Sequence, residues 1–482
     1  MSLNTNATDA IEYALKLDAD YVDIRVENEF ANFTGLRNNE ICGVNTNLQE
    51  SIGIRVLYKN CWGFASISSL DNSSIMRITQ NAVKIAKKTA KKSDKKKINL
   101  AEIPSRKTSV SDSCKKHPQY LEQKDRIDLL NWLNLRINSR VNIAKVLDLK
   151  LIENHTQKLF MNSEGSEIEQ ILIRASLFLG CSLGGSSNFQ KVRSVGFGGV
   201  GGIEQFEQYS FEEFLDNFIT TLPEIAQAKL VKPKEQPIIL NEEMGWNLCH
   251  EFCHAVESDL ILSGQSPLDT RIGSKIGSEE VTIIDDASFK GYGEYYFDDE
   301  GVKASGTLII EDGILFDVLQ SRETAAEMNA IPTSNGRAES SLYYPQVRQS
   351  NTFFEPGNHK FEELIEGAKN GLYICDTFGG TADTVHGNFQ LDAQYGRKIE
   401  KGELGDYVTG FSIIGNLYTI LGDVNGMTKD LGSFPSYCGK QGQRVSVGAI
   451  SPKVSLKSVA VISNIAQRHI RKIDFTRVRE TQ

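Results

Sequence analysis

The chain has 482 residues, which is too many for one ordinary hydrophobic core and suits two or three domains. Its 40% hydrophobic and 24% charged residues are typical of a folded globular protein, and no apolar run reaches the ~18 residues that a membrane-spanning helix needs. The net charge of −9 argues against general binding to nucleic-acid phosphates.

The cysteine usage points to a reducing compartment. Eight cysteines are scattered along the chain, and the N-terminus carries no secretory signal. In such a compartment a special cysteine is more often a metal ligand or a nucleophile than a disulfide partner. We therefore expect a cytoplasmic protein with neither a membrane nor a nucleic-acid partner.

The first predicted domain, residues 1–105, combines helices with strands. Apolar residues at helical spacing predict helices over 6–17 and 71–92. Shorter apolar runs predict strands over 21–26, 41–45, 51–58 and 62–67. In the first of these runs the residues alternate in the manner of a half-buried strand. The basic run from Lys84 to Lys97 continues the second helix, and we interpret it as a solvated helix face and tail.

The second predicted domain, residues 106–232, has the same mixed character. Its pattern predicts helices over 122–143 and 210–228, with strands over 146–153, 158–161 and 167–179. The stretch Gly196-Phe-Gly198-Gly-Val-Gly201 formally matches a dinucleotide-binding fingerprint. Because it follows antiparallel-looking strands and not a βαβ unit, we interpret its glycines as those of a flexible loop.

The third predicted domain, residues 233–482, begins with one helix and continues as many short strands broken by glycine. Such spacing is typical of a large, mainly antiparallel sheet system. The fold class is therefore α+β: an N-terminal α/β domain, a middle α+β domain and a large β-rich C-terminal domain with an embedded motif helix.

That motif helix, predicted over 241–259, carries the sharpest chemical signal. Asn241 can cap its first turn, and Met244, Leu248, Phe252 and Val256 form an apolar stripe with a four-residue spacing.

The same helix contains the sequence His250-Glu251-Phe-Cys-His254. Two imidazoles four residues apart project from one side of a helix and can bind one Zn²⁺, while Glu251 reaches a water molecule as general base. The alternative is a pair of surface histidines on an amphipathic helix.

A catalytic zinc also needs a third protein ligand. Glu257 is predicted to lie too far along the same helix, and Cys249 and Cys253 fit small buried residues better. The distant candidates are Cys438 and His386, and the glycine-rich surroundings of Cys438 favour it only slightly.

Several segments together resemble the TldD/PmbA family, whose TldD members are metallopeptidases. The resemblance covers most of the chain and rests on residues 19–25, 53–56, 62–65, 297–301, 321–325, 335–340 and 438–440. It implies that Zn²⁺ is bound by His250, His254 and Cys438, and that Glu251 is catalytic. It also implies cleavage of unfolded proteins and peptides by a dimer, either a homodimer or a heterodimer with a PmbA/TldE-type subunit that lacks the metal motif.

One departure from the family pattern lies inside the motif. The family has His-Glu-x-x-x-His, whereas this chain is one residue shorter between the histidines. We expect that the additional family residue forms a π-type bulge and that this chain has a plain α-helical turn instead. An ungapped alignment would place Cys249 and His250 on the family's His and Glu, and the shorter motif could mark an inactive subunit.

The leading hypothesis is therefore a zinc-dependent metallopeptidase that binds extended peptides, with an added β-strand as the expected mode of binding. The alternative is a non-catalytic TldE/PmbA-like partner subunit with a degenerate metal site. Asn335 and Arg337 are candidate substrate contacts, although a hydrogen-bonded turn explains them equally well. Asp298, Asp299 and Glu300 are expected to form an exposed acidic turn in preference to a cation site.

Overall fold

A computed structural model describes residues 3–91, 98–141, 144–184, 191–268 and 271–463. Helices and strands are mixed throughout, and strands dominate the C-terminal part. The predicted α+β fold class is confirmed. No helix in the described ranges combines the length and the apolar character needed to span a membrane.

The N-terminal part forms a hairpin of two long strands with helices beside it. Its elements are α1 (Leu3–Lys16), β1 (Tyr21–Arg37), β2 (Glu40–Tyr58), β3 (Cys61–Ile67) and α2 (Asn72–Ala90). Asn38 and Asn39 join β1 to β2 with φ of 48° and 71°, the left-handed conformation that tight hairpin turns require. The strands predicted over 41–45 and 51–58 are therefore one continuous strand.

The middle part extends the same sheet. Its elements are β4 (Lys107–Ser111), a 3₁₀ turn (Pro118–Tyr120), α3 (Gln123–Arg140), β5 (Ala144–Asn162), β6 (Glu167–Leu183), β7 (Lys191–Val200), a 3₁₀ turn (Ile203–Glu207) and α4 (Tyr209–Gln227). The strand order is β3-β2-β1-β5-β6-β4, with β7 also paired to β6. Strands from both sides of the predicted boundary near residue 105 thus share one seven-stranded sheet, and the division into three domains stays a prediction.

The glycine-rich stretch 196–201 does not form the predicted loop. Gly196 and Gly198 lie inside β7, opposite Phe178 and Ser176 of β6. A Cβ atom on Gly196 would approach the ring of Phe178 to 2.9 Å, so the missing side chain makes room for an aromatic neighbour. The glycines therefore serve close packing in a strand.

The C-terminal part begins with short strands around the motif helix. Its first elements are β8 (Lys229–Leu230), β9 (Lys234–Leu240), α5 (Glu242–Cys253), a 3₁₀ turn (His254–Val256), α6 (Ser258–Leu262), β10 (Ile283–Asp286), β11 (Gly306–Glu311), β12 (Ile314–Leu315), α7 (Arg322–Met328), β13 (Gly336–Arg337), β14 (Gln346–Val347) and β15 (Asn351–Phe354).

Longer strands with short helices between them follow to the end of the described chain. These elements are α8 (Phe361–Ala368), β16 (Asn370–Ala382), β17 (Asn388–Glu400), β18 (Glu403–Thr409), β19 (Phe411–Asn416), α9 (Leu417–Ile420), a 3₁₀ turn (Leu421–Asp423), β20 (Val424–Met427), β21 (Gly432–Lys440), β22 (Gln443–Ser451) and β23 (Val454–Ser463).

These strands form two large sheets and a small one. The six-stranded sheet has the order β12-β11-β10-β15-β22-β21, and β13 and β14 form a separate two-stranded sheet. In the eight-stranded sheet β16 pairs with both β9 and β17, so five of its strands close into a ring. The hydrophobic core between the elements of this part includes the apolar stripe of α5, with Met244, Leu248 and Phe252 fully buried.

The acidic segment at 298–300 is not the exposed turn that the sequence suggested. All three carboxylates are buried. Asp298 accepts hydrogen bonds from the backbone N–H groups of Glu300, Val302 and Gly336. Asp299 and Glu300 pair with cations of the N-terminal sheet, so the segment connects two parts of the chain.

A candidate metal centre on the motif helix

Helix α5 starts directly after a buried strand and is fixed at its first turn. The side chain of Asn241 accepts a hydrogen bond from the backbone N–H of Met244 at 3.0 Å, which is the predicted cap. Because Leu248 and Phe252 hold one side of α5 in the core, His250 is presented on another side.

The turn between the two histidines is α-helical, as predicted, but the helix ends sooner than predicted. Helix α5 ends at Cys253, and His254 begins a 3₁₀ turn, so the expected plain α-helix through 259 is wrong beyond Cys253. The helix ends here because Glu257 has an extended backbone and forms a β-bridge with Leu319. The backbone N–H of His254 still bonds to the carbonyl of His250, and the two ring centroids lie 4.8 Å apart.

Strand β21 brings Cys438 to the two histidines. One potential ligand atom from each of His250, His254 and Cys438 lies within 4.8 Å of the others, and Cys438 Sγ is 3.6 Å from His254 Nε2. His250 and Cys438 are buried and His254 is half-buried. The other distant candidate, His386, lies in an exposed loop and pairs with Asp383, away from this cluster.

The three side chains shift each other's proton affinities. Burial alone would raise the pKa of Cys438, but the positive charges of His254 and His250 hold that pKa well below the usual thiol value. Burial alone would lower the pKa of His254, yet Cys438 and Glu257 raise it well above the usual imidazole value. The geometry thus favours a thiolate at Cys438, which is the form that binds metals.

A second layer of contacts orients His254. Its Nδ1 lies 3.1 Å from Glu257 Oε2. Burial alone would raise the pKa of Glu257, but Lys440 and His254 lower it to about 2, so the carboxylate is ionised and can only accept a hydrogen bond. Nδ1 therefore carries the proton that faces Glu257, and Nε2, which faces Cys438, is the nitrogen that can exchange its proton for a metal ion.

Further buried groups hold the backbone of the other two candidate ligands, His250 and Cys438. The side-chain amide of Gln349 donates to the carbonyl of His250 at 3.0 Å, and Arg348 donates to the carbonyl of Cys438 at 2.7 Å. Sequence reasoning missed Lys440, Arg348 and Gln349. Only Lys440 carried a usable signal, because it follows Cys438 by two residues and so shares its face of a strand.

Asn335 and Arg337 also lie behind the site. Asn335 is fully buried and donates to Asp285 and to the carbonyl of Arg348. The guanidinium of Arg337 donates to the carbonyls of Gln349 and Ser446. These contacts favour the hydrogen-bonded alternative over direct contact with a substrate.

Glu251 lies on a different side of α5, facing β16. A Cβ atom on Gly380 of β16 would lie 3.0 Å from Glu251 Cγ, so the glycine leaves space for this side chain. One turn earlier, Asn247 donates to Thr377 Oγ1 at 2.7 Å and fixes the same face of the helix. Cys249 and Cys253 are fully buried in the core, as expected of small apolar residues.

The donor set fits a zinc ion. Zinc binds imidazole nitrogen at about 2.0–2.1 Å and thiolate sulfur at about 2.3 Å, so two such ligands at a tetrahedral angle lie about 3.5 Å apart. The distance of 3.6 Å between Cys438 Sγ and His254 Nε2 is close to that value. His250 Nδ1 is buried and has no hydrogen-bond partner among the described residues, which leaves that nitrogen available to a metal ion. Two nitrogens and one sulfur leave a fourth position open.

Comparison with known proteins places these features in a family. Residues 233–463 match the model of the PmbA/TldA metallopeptidase C-terminal domain, and residues 22–86 match that of PmbA/TldA metallopeptidase domain 1. A metalloprotease of Methanocaldococcus jannaschii is 34% identical over 438 residues, covering 89% of this chain and 94% of that protein.

A second relative and a solved structure agree with this. The zinc metalloprotease TldD homolog of Saccharolobus solfataricus is 26% identical, covering 94% of this chain and 98% of that protein. The crystal structure of TldE from Thermococcus kodakarensis superimposes with a TM-score of 0.76 at 18% identity, covering 95% of this chain and all of that one. At this identity the structural likeness shows a shared fold.

Proposed function

This chain belongs to the TldD/PmbA family of metallopeptidases, and on that premise we propose that it is a zinc-dependent peptidase that hydrolyses extended or unfolded peptides. The observation that carries the proposal is the convergence of His250, His254 and Cys438, three groups of the kind zinc prefers, from two distant parts of the chain.

Each residue has a defined role in the proposed reaction. His250, His254 and Cys438 hold the zinc, which when bound supplies a Lewis acid that polarises a carbonyl and makes water nucleophilic near neutral pH. Glu251, next to His250 in α5, takes a proton from the attacking water. The same carboxyl group then delivers the proton to the amine nitrogen of the leaving peptide.

The surroundings of Cys438 support an extended substrate. Strand β21 is the outermost strand of the six-stranded sheet. Gly439 beside Cys438 is exposed, and apart from Gly439 and its two chain neighbours no described residue has an atom within 4 Å of the position that a Cβ atom would occupy there. A peptide that lies along such an edge is recognised through its backbone. This mode of binding requires an unfolded chain and gives little preference for particular side chains.

A second candidate function is that of a non-catalytic partner subunit. It rests on the shortened motif and on the fold shared with TldE. The convergence of the three proposed ligands favours the catalytic type, because a subunit with a degenerate metal site would not be expected to keep all three together. We propose that the chain assembles as a homodimer or with a PmbA/TldE-type subunit, and light scattering of the chain alone distinguishes these two assemblies.

The test of the catalytic proposal compares the wild type with Glu251→Gln on an unstructured peptide library. We expect about one zinc per chain in both proteins, with cleavage in the wild type only and none after chelation. Glu243→Gln, which changes another carboxylate of α5, is the matched control and should retain cleavage. Equal turnover by wild type and Glu251→Gln would refute the assigned base, and metal-free wild type would favour the partner subunit.

A further inference from the structure

We infer that Lys440 is a positioning residue of the metal centre: its ammonium group ties the strand that carries Cys438 to the turn that carries His254. The inference rests on the proposed zinc site. It adds a residue that contacts neither metal nor substrate and that sets the separation of two ligands coming from opposite ends of the C-terminal part.

The placement of Lys440 follows from strand geometry. Cys438 and Lys440 are two residues apart in β21, so both side chains project from the same face of the strand. The hairpin turn at Gln441 and Gly442, with φ of 49° and 80°, fixes the register of β21 on β22. Any displacement of Lys440 therefore moves Cys438 with it.

The ammonium group is bound on the motif-helix side of the site. Lys440 Nζ lies 3.0 Å from Glu257 Oε2, 2.7 Å and 2.8 Å from the two oxygens of Asp259, and 2.9 Å from the carbonyl of Val347. Three partners match the three N–H groups of an ammonium ion. The Lys440 side chain is only 7% exposed and that of Glu257 is fully buried, so solvent screens these contacts little.

The contacts close a ring that contains two of the proposed ligands. From Cys438 the chain leads to Lys440, from Lys440 to Glu257, and from Glu257 Oε2 to His254 Nδ1 at 3.1 Å. His254 Nε2 then returns to Cys438 Sγ at 3.6 Å. Because each link is a direct contact, Lys440 constrains both the position of the sulfur and the orientation of the imidazole.

Removing the ammonium group would open this ring in a specific way. Glu257 and Asp259 would face each other without their shared cation, and β21 would lose the ion pairs that attach it to the segment after α5. The two ligands would then have to be brought together by the metal itself. Partners of metal ligands typically contribute about 10–100-fold to metal affinity in this way.

The experiment compares the full-length wild type with Lys440→Met, which keeps the length of the side chain and removes its charge. Lys275→Met is the matched control, because Lys275 forms an exposed ion pair with Glu279 away from the site. Zinc affinity is measured by competition with a chromophoric chelator. We expect about 10–100-fold weaker binding for Lys440→Met and unchanged binding for Lys275→Met.

Two further readouts separate positioning from general stability. In cobalt-loaded protein, the thiolate-to-cobalt absorption should change in Lys440→Met. In metal-free protein, alkylation of Cys438, followed by peptide mass spectrometry, should accelerate while Cys253 stays protected. If Lys440→Met does not fold, Asp259→Asn should show smaller changes in the same directions.

An outcome in which Lys440→Met lowers only the melting temperature, with wild-type zinc affinity, cobalt spectrum and alkylation rate, would overturn the inference and leave the zinc site intact. Wild-type protein that binds no metal would instead refute the proposed function. In that event unchanged alkylation of Cys438 in Lys440→Met would refute the positioning role as well.

Discussion

Both ring nitrogens of His254 make contacts, and these contacts fix the orientation of its ring in the site. Nε2 faces Cys438, while Nδ1 contacts Glu257. In the part of the chain that the structure describes, Nδ1 of the neighbouring His250 has no such partner, and His250 is held through its backbone by Gln349. The two histidines of the motif are therefore not equivalent, and His254 depends more strongly on the charges around it.

Glu257 should contribute stability that depends on pH. Its pKa of about 2 lies below the ~4.3 of an unfolded glutamate, so the folded state gains stability above about pH 4.3 and loses it as pH falls through about 2. In metal-free protein this linkage amounts to about 3 kcal/mol at pH 7 and about half of that at pH 3.

Denaturant unfolding of wild type and Glu257→Gln at both pH values checks this expectation. The free-energy difference between the two proteins should shrink by roughly 1–2 kcal/mol on going from pH 7 to pH 3. A difference that is independent of pH would show that the ionised carboxylate contributes nothing specific.

Individual elements are held by close backbone approaches that only glycine allows. Gly63 in β3 lies under α2, and a Cβ atom there would come within 2.0 Å of the carbonyl oxygen of Ala82. Gly367 in α8 is the opposite case, because outside its own helical turn no described residue has an atom within 4 Å of the corresponding position. The two glycines therefore form a matched pair of test sites.

We expect Gly63→Ala to destabilise the protein by about 1–3 kcal/mol, because α2 must move away from β3. Gly367→Ala should be neutral or stabilising by up to about 1 kcal/mol, since alanine favours a helix interior. Thermal unfolding of both variants measures the difference. Equal melting temperatures would contradict the packing of α2 on β3.

For single elements, the sequence predicted whether a segment is a helix or a strand better than it predicted where that helix or strand begins and ends. Apolar spacing located α2 and the start of the motif helix correctly. It missed the second half of β1, where polar residues such as Asn32 and Thr34 are buried and no apolar alternation is visible, and it missed residues 46–50 of β2, which are mostly solvent-exposed. The motif helix ends early because Glu257 pairs with Leu319, a contact between residues far apart in sequence. Local periodicity contains no information about such a contact.

On the scale of the whole molecule, buried ion pairs connect the N-terminal sheet to the C-terminal part. Arg55 of β2 lies 2.6 Å from Asp23 of β1 and 2.8 Å from Glu300. All three side chains are buried. These ion pairs place the acidic segment 298–300 inside the protein. The sequence could not predict its burial, because the cationic partners of the segment are more than 140 residues away along the chain.

Arg55→Met should cost about 3–5 kcal/mol, because it leaves two buried carboxylates without their cation. Arg37→Met is the control, since Arg37 pairs with Asp148 but its side chain is 42% exposed, and its loss should cost at most about 1 kcal/mol. Chemical denaturation measures both values. Similar costs for the two variants would argue against a connecting role for Arg55.

The proposed metal ligands show which contacts between distant parts of the chain could be predicted from the sequence. His250 and His254 were visible as a local motif, and their shared direction follows from helix geometry. Cys438 lies 184 residues from His254, and the residues alone favoured it only slightly over His386 until the family resemblance was considered. The supporting residues Arg348 and Gln349 were not predictable, because they act through backbone carbonyls that any residue could offer.

The central claim is that one zinc ion is shared by His250, His254 and Cys438. Zinc-edge X-ray absorption of the purified protein tests it most directly. We predict about one zinc per chain, with one sulfur neighbour at about 2.3 Å and nitrogen neighbours at about 2.0–2.1 Å. A zinc shell without sulfur, or a chain that retains no zinc, would contradict this claim.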